Sequence, residues 1–264
     1  MNKILEKQHF SAAVVKLVVE APAIARSRRP GHFVIVIDRP KGERIPLTIA
    51  DADPERGSIT LVVQAVGDST RAICAMNAGD FLHDVVGPLG RATSIERLGT
   101  VVCAGGGVGV APLLPIIRAM KEAGNRVVSV LAARNKDLVI LQDQVARWSD
   151  QVIVMTDDGS AGRRGLVTDG VESVLQTEPV DLVVTIGPAI MMKFVALLTK
   201  KYAVPTICSL NTIMVDGTGM CGACRVTVDG HTRFVCVDGP EFDAHKVDFD
   251  EMMLRMRDYD KPKN

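Results

Sequence analysis

Aromatic side chains are scarce in this chain: only 4% of its 264 residues are Phe, Tyr or Trp, with one Trp and two Tyr. Any bound ring system is therefore expected to be held mostly by backbone, aliphatic side chains and hydroxyls. Net charge is also absent, because 31 basic residues balance 31 acidic ones, and no basic patch argues for nucleic acid or a membrane surface. No run approaches the ~18 apolar residues of a membrane span. The first ten residues lack an apolar signal-peptide core.

Apolar residues make up 47% of the chain, enough to bury a sizeable core in two compact domains or three small ones. The first part, residues 1–97, has β-branched or alternating runs separated by turn clusters. We predict strands at 12–19, 32–38, 44–49 and 58–66. A helix is predicted from Asp68 or Ser69 to Asn77, with Asp68 as a plausible N-cap, followed by a strand that ends at 87–90. Short antiparallel strands with one helix indicate a small β-barrel.

Residues 98–210 alternate between strand and helix, which predicts a doubly wound parallel sheet with helices on both faces. The predicted strands are 100–104, 126–133, 152–156, 181–186 and 205–210, and the predicted helices are 110–123, 137–148 and 190–202. A third module is expected at 211–264. It contains a Gly-rich loop, a hairpin over 225–228 and 231–235 with an Asp229-Gly230 turn, and an acidic tail helix.

Asp216, Cys221, Cys224 and Cys236 form the pattern D-x4-C-x2-C-x11-C in that third module. Plant-type [2Fe–2S] clusters are held by Cys at C-x4-C-x2-C…C, so the spacing is intact and Asp216 replaces the first Cys. The intervening glycines allow a loop whose backbone N–H groups face the sulfurs. A structural Cys3Asp zinc site and disulfides are the alternatives, although zinc sites usually pair two short knuckles. Cys74, Cys103 and Cys208 are expected to be ordinary buried thiols.

A Gly-rich turn follows the first strand of the second part and precedes a helix. Glycines there let the backbone approach a pyrophosphate, and the helix N-terminus adds N–H groups and partial positive charge. The spacing differs from G-x-G-x-x-G, and such a run can also be a simple tight turn. The context favours a dinucleotide site, with these candidate residues: Gly106, Gly107, Gly109, Ala111 and Pro112.

Asp157 and Asp158 end the third strand of the parallel sheet at its ligand-binding edge. A carboxylate there can accept hydrogen bonds from ribose hydroxyls and repel a 2′-phosphate, which favours NAD(H), although a solvated turn is an equally simple interpretation. Arg163 and Arg164 follow closely and would instead favour phosphate. Further contacts to the nucleotide are expected from the end of the fourth strand, at Gly187, Pro188 and Met191; Met191 could equally be plain core.

The order of a barrel, GGGxGxAP and GP-x-x-MM resembles the ferredoxin–NADP reductase superfamily. With the C-terminal cluster loop, the chain resembles electron-transfer subunits related to that of dihydroorotate dehydrogenase. It is more similar still to the small subunits of NADH-dependent ferredoxin:NADP oxidoreductase, also called sulfide dehydrogenase beta subunits. The resemblance covers essentially the whole chain, and Asp216 supports the second group because the dihydroorotate type normally has four Cys.

The resemblance implies FAD, NAD(H) and a [2Fe–2S] cluster. Arg44 would bind a flavin phosphate, Pro46 and Leu47 would line the isoalloxazine, and Thr48 would place its hydroxyl near flavin N5. Ser69 and Thr70 would meet the pyrophosphate, and Gln64 and Val66 complete the implied FAD contacts. Two departures are visible: Pro46 stands where the superfamily has a stacking Tyr, and Ile186 replaces the Cys often found before Gly-Pro.

The resulting hypothesis is an oxidoreductase subunit that moves electrons among NAD(H), FAD and the cluster, with no catalytic side-chain acid or base. The resemblance implies a larger flavoprotein partner with FAD and [4Fe–4S] clusters in an electron-bifurcating complex linked to ferredoxin. A dihydroorotate or sulfide dehydrogenase subunit, a stand-alone flavin reductase and a non-catalytic zinc-containing nucleotide-binding module are the alternatives. A thiolate site without an export signal leads us to expect the reducing cytoplasm.

Overall fold

The computed structural model describes residues 1–259, and the elements below are numbered in chain order. The strands are β1 (Asn2–Ser11), β2 (Val14–Glu20), β3 (Phe33–Ile37), β4 (Ile45–Asp53), β5 (Ser58–Gln64), β6 (Phe81–Leu82), β7 (Asp84–Leu89), β8 (Thr100–Gly106), β9 (Arg126–Ala133), β10 (Gln151–Thr156), β11 (Arg163–Arg164), β12 (Leu182–Ile186), β13 (Thr206–Ser209), β14 (Arg225–Val228), β15 (His231–Phe234) and β16 (Glu241–Asp243). The helices are α1 (Pro22–Ser27), α2 (Asp68–Ala75), α3 (Val110–Glu122), α4 (Gln142–Ala146), α5 (Val167–Leu175), α6 (Ala189–Lys201), α7 (Val235–Asp238) and α8 (Phe249–Tyr259).

The N-terminal sheet is antiparallel, in the order β6-β1-β2-β5-β4-β3-β7, and curls into a near-closed barrel. Alternate residues of β2, such as Val15, Leu17 and Val19, are buried in its core. This confirms the predicted barrel. β1 was not predicted, because its exposed and half-buried residues surround a single buried side chain, Ile4.

The second sheet is parallel, in the order β11-β10-β9-β8-β12-β13, with β16 added antiparallel at the β13 edge. Its central strand β8 is buried on both faces, as parallel strands between two helical layers are. Cys103 packs in the core that contains α3, and Ala104 packs in the core that contains α5 and α6. The predicted doubly wound architecture is thus confirmed.

The predicted helix at 137–148 is wrong. A short 3-10 turn at Lys136–Leu138 and the brief α4 replace it, because Leu141 has φ 59° and stops any continuous helix. The prediction relied on the spacing of Leu138, Leu141, Val145 and Trp148. The last three of these residues pack in the core that contains α3, but from α4 and the residues on either side of it rather than from one long helix.

Asp68 is not the N-cap of α2. Gly67 has that position. The Thr70 hydroxyl accepts hydrogen bonds from the backbone N–H groups of Val66 and Gly67, at 3.0 and 2.9 Å. Thr70 therefore helps to fix the start of the helix whose hydroxyls were expected to meet a pyrophosphate.

The segment from residue 211 onward is joined closely to both sheets. The β14–β15 hairpin turns at Asp229 and Gly230, both with positive φ, as the Asp-Gly pair predicts. β16 extends the parallel sheet, and α8, at the position of the expected tail helix, packs on α6. The divisions at 97/98 and 210/211 remain predictions, and the last five residues of the third module, 260–264, lie outside the described part of the chain.

Across residues 1–259, no helix combines the length and the apolar character that crossing a membrane requires.

Candidate functional site

A cavity of about 960 Å³ lies where the barrel meets the carboxyl edge of the parallel sheet. This volume is at the upper end of the range for cofactor pockets. From the barrel it is lined by five of the residues proposed for FAD: Pro46, Leu47, Thr48, Gln64 and Val66. From the sheet it is lined by nine of those proposed for NAD: Gly106, Gly107, Gly109, Ala111, Pro112, Asp157, Gly187, Pro188 and Met191. The fold therefore brings the two predicted sets of residues into one space.

Three residues assigned to the flavin phosphates lie outside the lining of this cavity. The Arg44 guanidinium donates to the backbone carbonyls of Val215 and Asp216. The Ser69 hydroxyl donates to the carboxylate of Glu43, and the Thr70 hydroxyl caps α2.

The glycine turn between β8 and α3 has two different structural requirements. A Cβ at Gly109 would lie 2.4 Å from the carbonyl oxygen of Ile186, so only glycine permits this approach of α3 to β12. Gly107 has φ 55°, and a Cβ built there meets no protein atom within 4 Å. Its backbone is thus open to a ligand, and the first turn of α3 contains no acidic residue that would oppose an anion.

Met191 of α6 covers the same turn from the other side. A Cβ at Gly106 would lie 2.3 Å from its sulfur, and one at Gly187 would lie 2.6 Å from its methyl carbon. Met191 also packs against two of the apolar cores. It is therefore both a core residue and part of the cavity lining, as the two interpretations of the sequence proposed. Ile186, at the position of the missing superfamily Cys, also lines the cavity.

The two acidic residues after β10 have different surroundings. Asp157 lines the cavity. Asp158 is exposed, as Asp157 is, but its carboxylate accepts hydrogen bonds from the hydroxyl and backbone N–H of Ser160 at 2.6 and 2.9 Å, which lower its pKa. The carboxylate of Asp158 is thus engaged within the turn, whereas that of Asp157 belongs to the cavity lining.

Arg134 lines the cavity at the end of β9, and the sequence analysis missed it. The available signal was its position directly after a parallel strand, at the edge where ligands bind. Arg163 and Arg164, considered as phosphate ligands, are exposed on β11 at the far edge of the sheet, outside the cavity. Of the described residues that line the cavity, Arg134 and Asp157 are the only ionisable ones.

The third part of the chain also contributes to the cavity, through Asn211, Met214 and Pro240. Met214 lies two residues before Asp216 and shares an apolar core with Phe33 of the barrel. This contribution was missed because nothing local in the sequence indicates that the third part folds back onto the barrel.

The four predicted cluster ligands form two pairs. The sulfurs of Cys224 and Cys236 lie 3.2 Å apart, and both residues are buried. Cys221 is exposed, and its backbone N–H donates to the Asp216 carboxylate at 2.7 Å. In residues 1–259, no three His, Cys, Asp or Glu side chains lie close enough together to bind one metal ion. The two pairs of predicted ligands are therefore separate from each other.

Two pKa shifts describe this loop. Hydrogen bonds from Thr218 and then Cys221 lower the pKa of Asp216 to about 2, so the carboxylate is ionised at neutral pH. Burial, followed by the neighbouring Cys224 thiol, raises the pKa of Cys236 to about 12. A cation is what would favour the thiolate there, since metal ligation needs the deprotonated sulfur. Three sulfurs and a carboxylate in two adjacent pairs fit a group with two irons.

The other cysteines lie apart from this loop. Cys103 and Cys208 are buried in β8 and β13, and burial raises the pKa of each, to about 12 for Cys103. Cys74 is only partly buried. The expectation of ordinary buried thiols fits Cys103 and Cys208 best.

Comparison with family models gives two matches. Residues 211–248 match the iron–sulfur cluster binding domain of dihydroorotate dehydrogenase B, and residues 103–197 match the oxidoreductase NAD-binding domain. The first match favours iron–sulfur over zinc for the loop.

Among curated proteins, the chain is 48% identical to a dihydroorotate dehydrogenase B electron transfer subunit homolog of Thermotoga maritima, over 98% of this chain and 92% of that protein. It is 30% identical to the dihydroorotate dehydrogenase B electron transfer subunit of Desulforamulus reducens, over 94% and 99% of the two chains.

Among solved structures, one chain superposes with TM-score 0.94 at 46% identity, covering 98% of this chain and 94% of that one. It comes from the structure of an NADH-dependent reduced ferredoxin-NADP oxidoreductase studied for flavin-based electron bifurcation. A ferredoxin NADP+ reductase from Neisseria gonorrhoeae, at 16% identity and TM-score 0.60 over 76% of this chain and 90% of that one, shares the fold.

Proposed function

Because the chain belongs to the family of electron-transfer subunits related to that of dihydroorotate dehydrogenase B, we propose that it carries electrons between NAD(H), FAD and a [2Fe–2S] cluster. It is an oxidoreductase subunit, and its similarity to the structure of NADH-dependent ferredoxin-NADP oxidoreductase makes that complex the best fit. The observation that carries the proposal is that one cavity is lined by the barrel, by the glycine turn after β8, and by residues 211 and 214, which precede the predicted cluster ligands.

FAD held in this cavity would supply a carrier that takes two electrons from NADH as a hydride and can release them one at a time to a cluster. The protein's part is to bind and orient. The α3 N-terminus and the open backbone at Gly107 would receive the pyrophosphate, and Asp157 would accept hydrogen bonds from a ribose. Met191 would close the nicotinamide side with an apolar, adaptable surface. We retain Gly106, Gly109, Ala111, Pro112, Gly187 and Pro188 as the remaining proposed contacts.

On the barrel side, Pro46, Leu47 and Thr48 of β4 would line the flavin ring, with Gln64 and Val66 beyond them. Aliphatic and hydroxyl groups suit this task in a chain so poor in aromatics. Arg44, Ser69 and Thr70 would hold the phosphates; this requires Ser69 to exchange its bond with Glu43 for one with a phosphate oxygen. Hydride transfer between a nicotinamide and a flavin requires no side-chain acid or base. Arg134 and Asp157, the only ionisable residues in the described lining, would therefore serve binding.

Cys224 and Cys236 would bind one iron of the cluster, and Asp216 with Cys221 the other. Asp158, which lies outside the cavity, is retained only as part of the turn that presents Asp157.

The relatives are subunits, so a larger partner is expected. We propose that this partner is a flavoprotein with a second FAD and [4Fe–4S] clusters, and that ferredoxin reacts through it. The subunit would work in the cytoplasm. A dihydroorotate or sulfide dehydrogenase complex would use this chain in the same way and differ only in the partner.

The test is to purify the chain anaerobically, determine iron, sulfide and FAD per chain, and record visible absorption before and after NADH. We expect flavin and two irons per chain, with bleaching by NADH. A colourless protein containing zinc would contradict the proposal and support the nucleotide-binding module instead.

A further inference from the structure

Arg44 joins the barrel to the cluster-binding loop, which we define as residues 215–224. It lies immediately before β4, and its guanidinium donates to two consecutive carbonyls of that loop, those of Val215 and Asp216, the second at 3.0 Å. A planar guanidinium can make two such bonds in a fixed geometry, whereas an ammonium cannot. The carbonyl of a proposed cluster ligand is therefore held by a residue of the barrel.

Gly217 shows independently that the loop is seated on the barrel. This residue is buried and has φ 80°. A Cβ added to it would lie 2.8 Å from a methyl carbon of Leu89 in β7 and 3.0 Å from Ile35 in β3. The loop backbone is thus in direct contact with two barrel strands, and no side chain fits between them.

The contact between the loop and the barrel lies next to an apolar core that both share. This core contains Phe33 and Ile35 of the barrel, two of the proposed ligands, Cys224 and Cys236, and residues next to or near the ligands, Met214, Val226 and Val235. Cys224 and Cys236 are thus buried together with two residues of β3. Two ligands are therefore held by buried packing, while Asp216 and Cys221 depend on the loop itself.

We propose that Arg44 and Gly217 position the cluster-binding loop against the barrel, so that the residues that hold the flavin also set the place and the potential of the cluster. Arg44 acts here as a positioning residue, in addition to any contact with a flavin phosphate. This inference rests on the proposed function. Its physical basis is twofold: the contact fixes the backbone of one ligand pair, and a cation beside an anionic cluster favours the reduced form.

The test compares three variants with the parent protein, each purified anaerobically with its cofactors. Gly217→Ala forces the loop away from Leu89 and Ile35 without touching the cavity. Arg44→Lys keeps the positive charge but replaces the two separate guanidinium nitrogens, which donate in a fixed geometry, with a single nitrogen on a flexible side chain. Gly230→Ala is the matched control, because Gly230 also has positive φ (72°), lies in the same part of the chain and has open space around its Cα. The readouts are the EPR spectrum of the dithionite-reduced cluster, its midpoint potential and the FAD content.

We expect Gly217→Ala to change the EPR spectrum and to lower the cluster potential, because the loop moves away from the Arg44 charge. Arg44→Lys keeps that charge, and we expect it to change the EPR spectrum through the altered position of the loop. Gly230→Ala should match the parent. FAD content should be unchanged in Gly217→Ala, which separates the loop effect from flavin loss. If Gly217→Ala does not fold, Arg44→Lys decides the question. Spectra and potentials identical to the parent in the variants that fold would overturn the inference. A parent protein without any cluster signal would instead refute the proposed function, so the EPR spectrum of the reduced parent is recorded before that of any variant.

Discussion

The sulfur atoms of Cys224 and Cys236 lie 3.2 Å apart although their positions differ by 12 in the sequence. The β14–β15 hairpin between them brings the two residues back together, and the Cys224 carbonyl accepts the backbone N–H of Val235. This contact is the most direct structural sign that the loop and the hairpin form one metal-binding unit.

Cys236→Ser should therefore abolish the cluster, because a neutral hydroxyl is a poor ligand for iron where a thiolate is expected. The measurement is iron and sulfide content with EPR of the reduced protein. Cys208→Ser is the control, since Cys208 is an equally buried thiol on β13 outside the unit. Loss of the cluster in both variants would show a general effect on folding and contradict the assignment.

Asp216→Cys should keep the cluster and change both its EPR signal and its potential, because a thiolate replaces a harder carboxylate ligand. It also removes the carboxylate that accepts hydrogen bonds from Thr218 and Cys221. Asp216→Asn keeps an acceptor for these bonds without the charge, and we expect it to weaken cluster retention. An unchanged signal in Asp216→Cys would exclude Asp216 as a ligand.

Asp157→Asn should narrow the preference for NADH over NADPH, because the variant loses a charged acceptor for ribose and its repulsion of a 2′-phosphate. A hydrogen bond to a charged group contributes about 1.5 kcal/mol, which corresponds to about tenfold in affinity. The measurement is kcat/KM for each nucleotide. Asp158→Asn is the matched control, since that carboxylate is bound to Ser160 outside the cavity, and an equal effect in both variants would argue against a specific role for Asp157.

Glu241→Gln should raise stability at neutral and alkaline pH. Burial raises the pKa of Glu241, whose carboxyl group accepts a hydrogen bond from the Thr93 hydroxyl at 2.6 Å. The folded state thus holds this proton more tightly than the unfolded chain, so the parent loses stability as pH rises from about 4.3, the ordinary Glu value, through the raised pKa. Gln removes that loss.

The measurement for Glu241→Gln is the melting temperature between pH 4 and 8. The gain over the parent should grow with pH and be smallest at pH 4. The exposed Glu55→Gln is the control and should follow the parent throughout. A gain of the same size at every pH would mean that the effect does not come from ionisation.

Elements with a strong local sequence pattern were predicted correctly. β9 was predicted at its observed bounds of 126–133, because a buried parallel strand is a continuous β-branched run with turn residues on both sides. The hairpin turn at Asp229-Gly230 was predicted because few residues adopt positive φ easily. The glycine turn was found by its place between a strand and a helix.

Elements that depend on distant packing were not predictable in the same way. The sequence analysis missed α5, a short helix after a turn, and joined two segments at 137–148 into one helix from their apolar spacing alone. Arg134 and Met214 reach the cavity only because separate strands end at one edge and the third part folds back on the barrel. The bond between Arg44 and the cluster loop spans 172 residues, and no local pattern could indicate it.

The central claim is that electrons enter at the nicotinamide site and reach the cluster inside this one chain. It is tested most directly by low-temperature EPR of the anaerobic protein frozen after addition of NADH, with no other protein and no other reductant. We predict a [2Fe–2S] signal that appears together with flavin bleaching and is lost in Cys236→Ser. Bleached flavin in a protein whose cluster gives a signal with dithionite and none with NADH would contradict the claim.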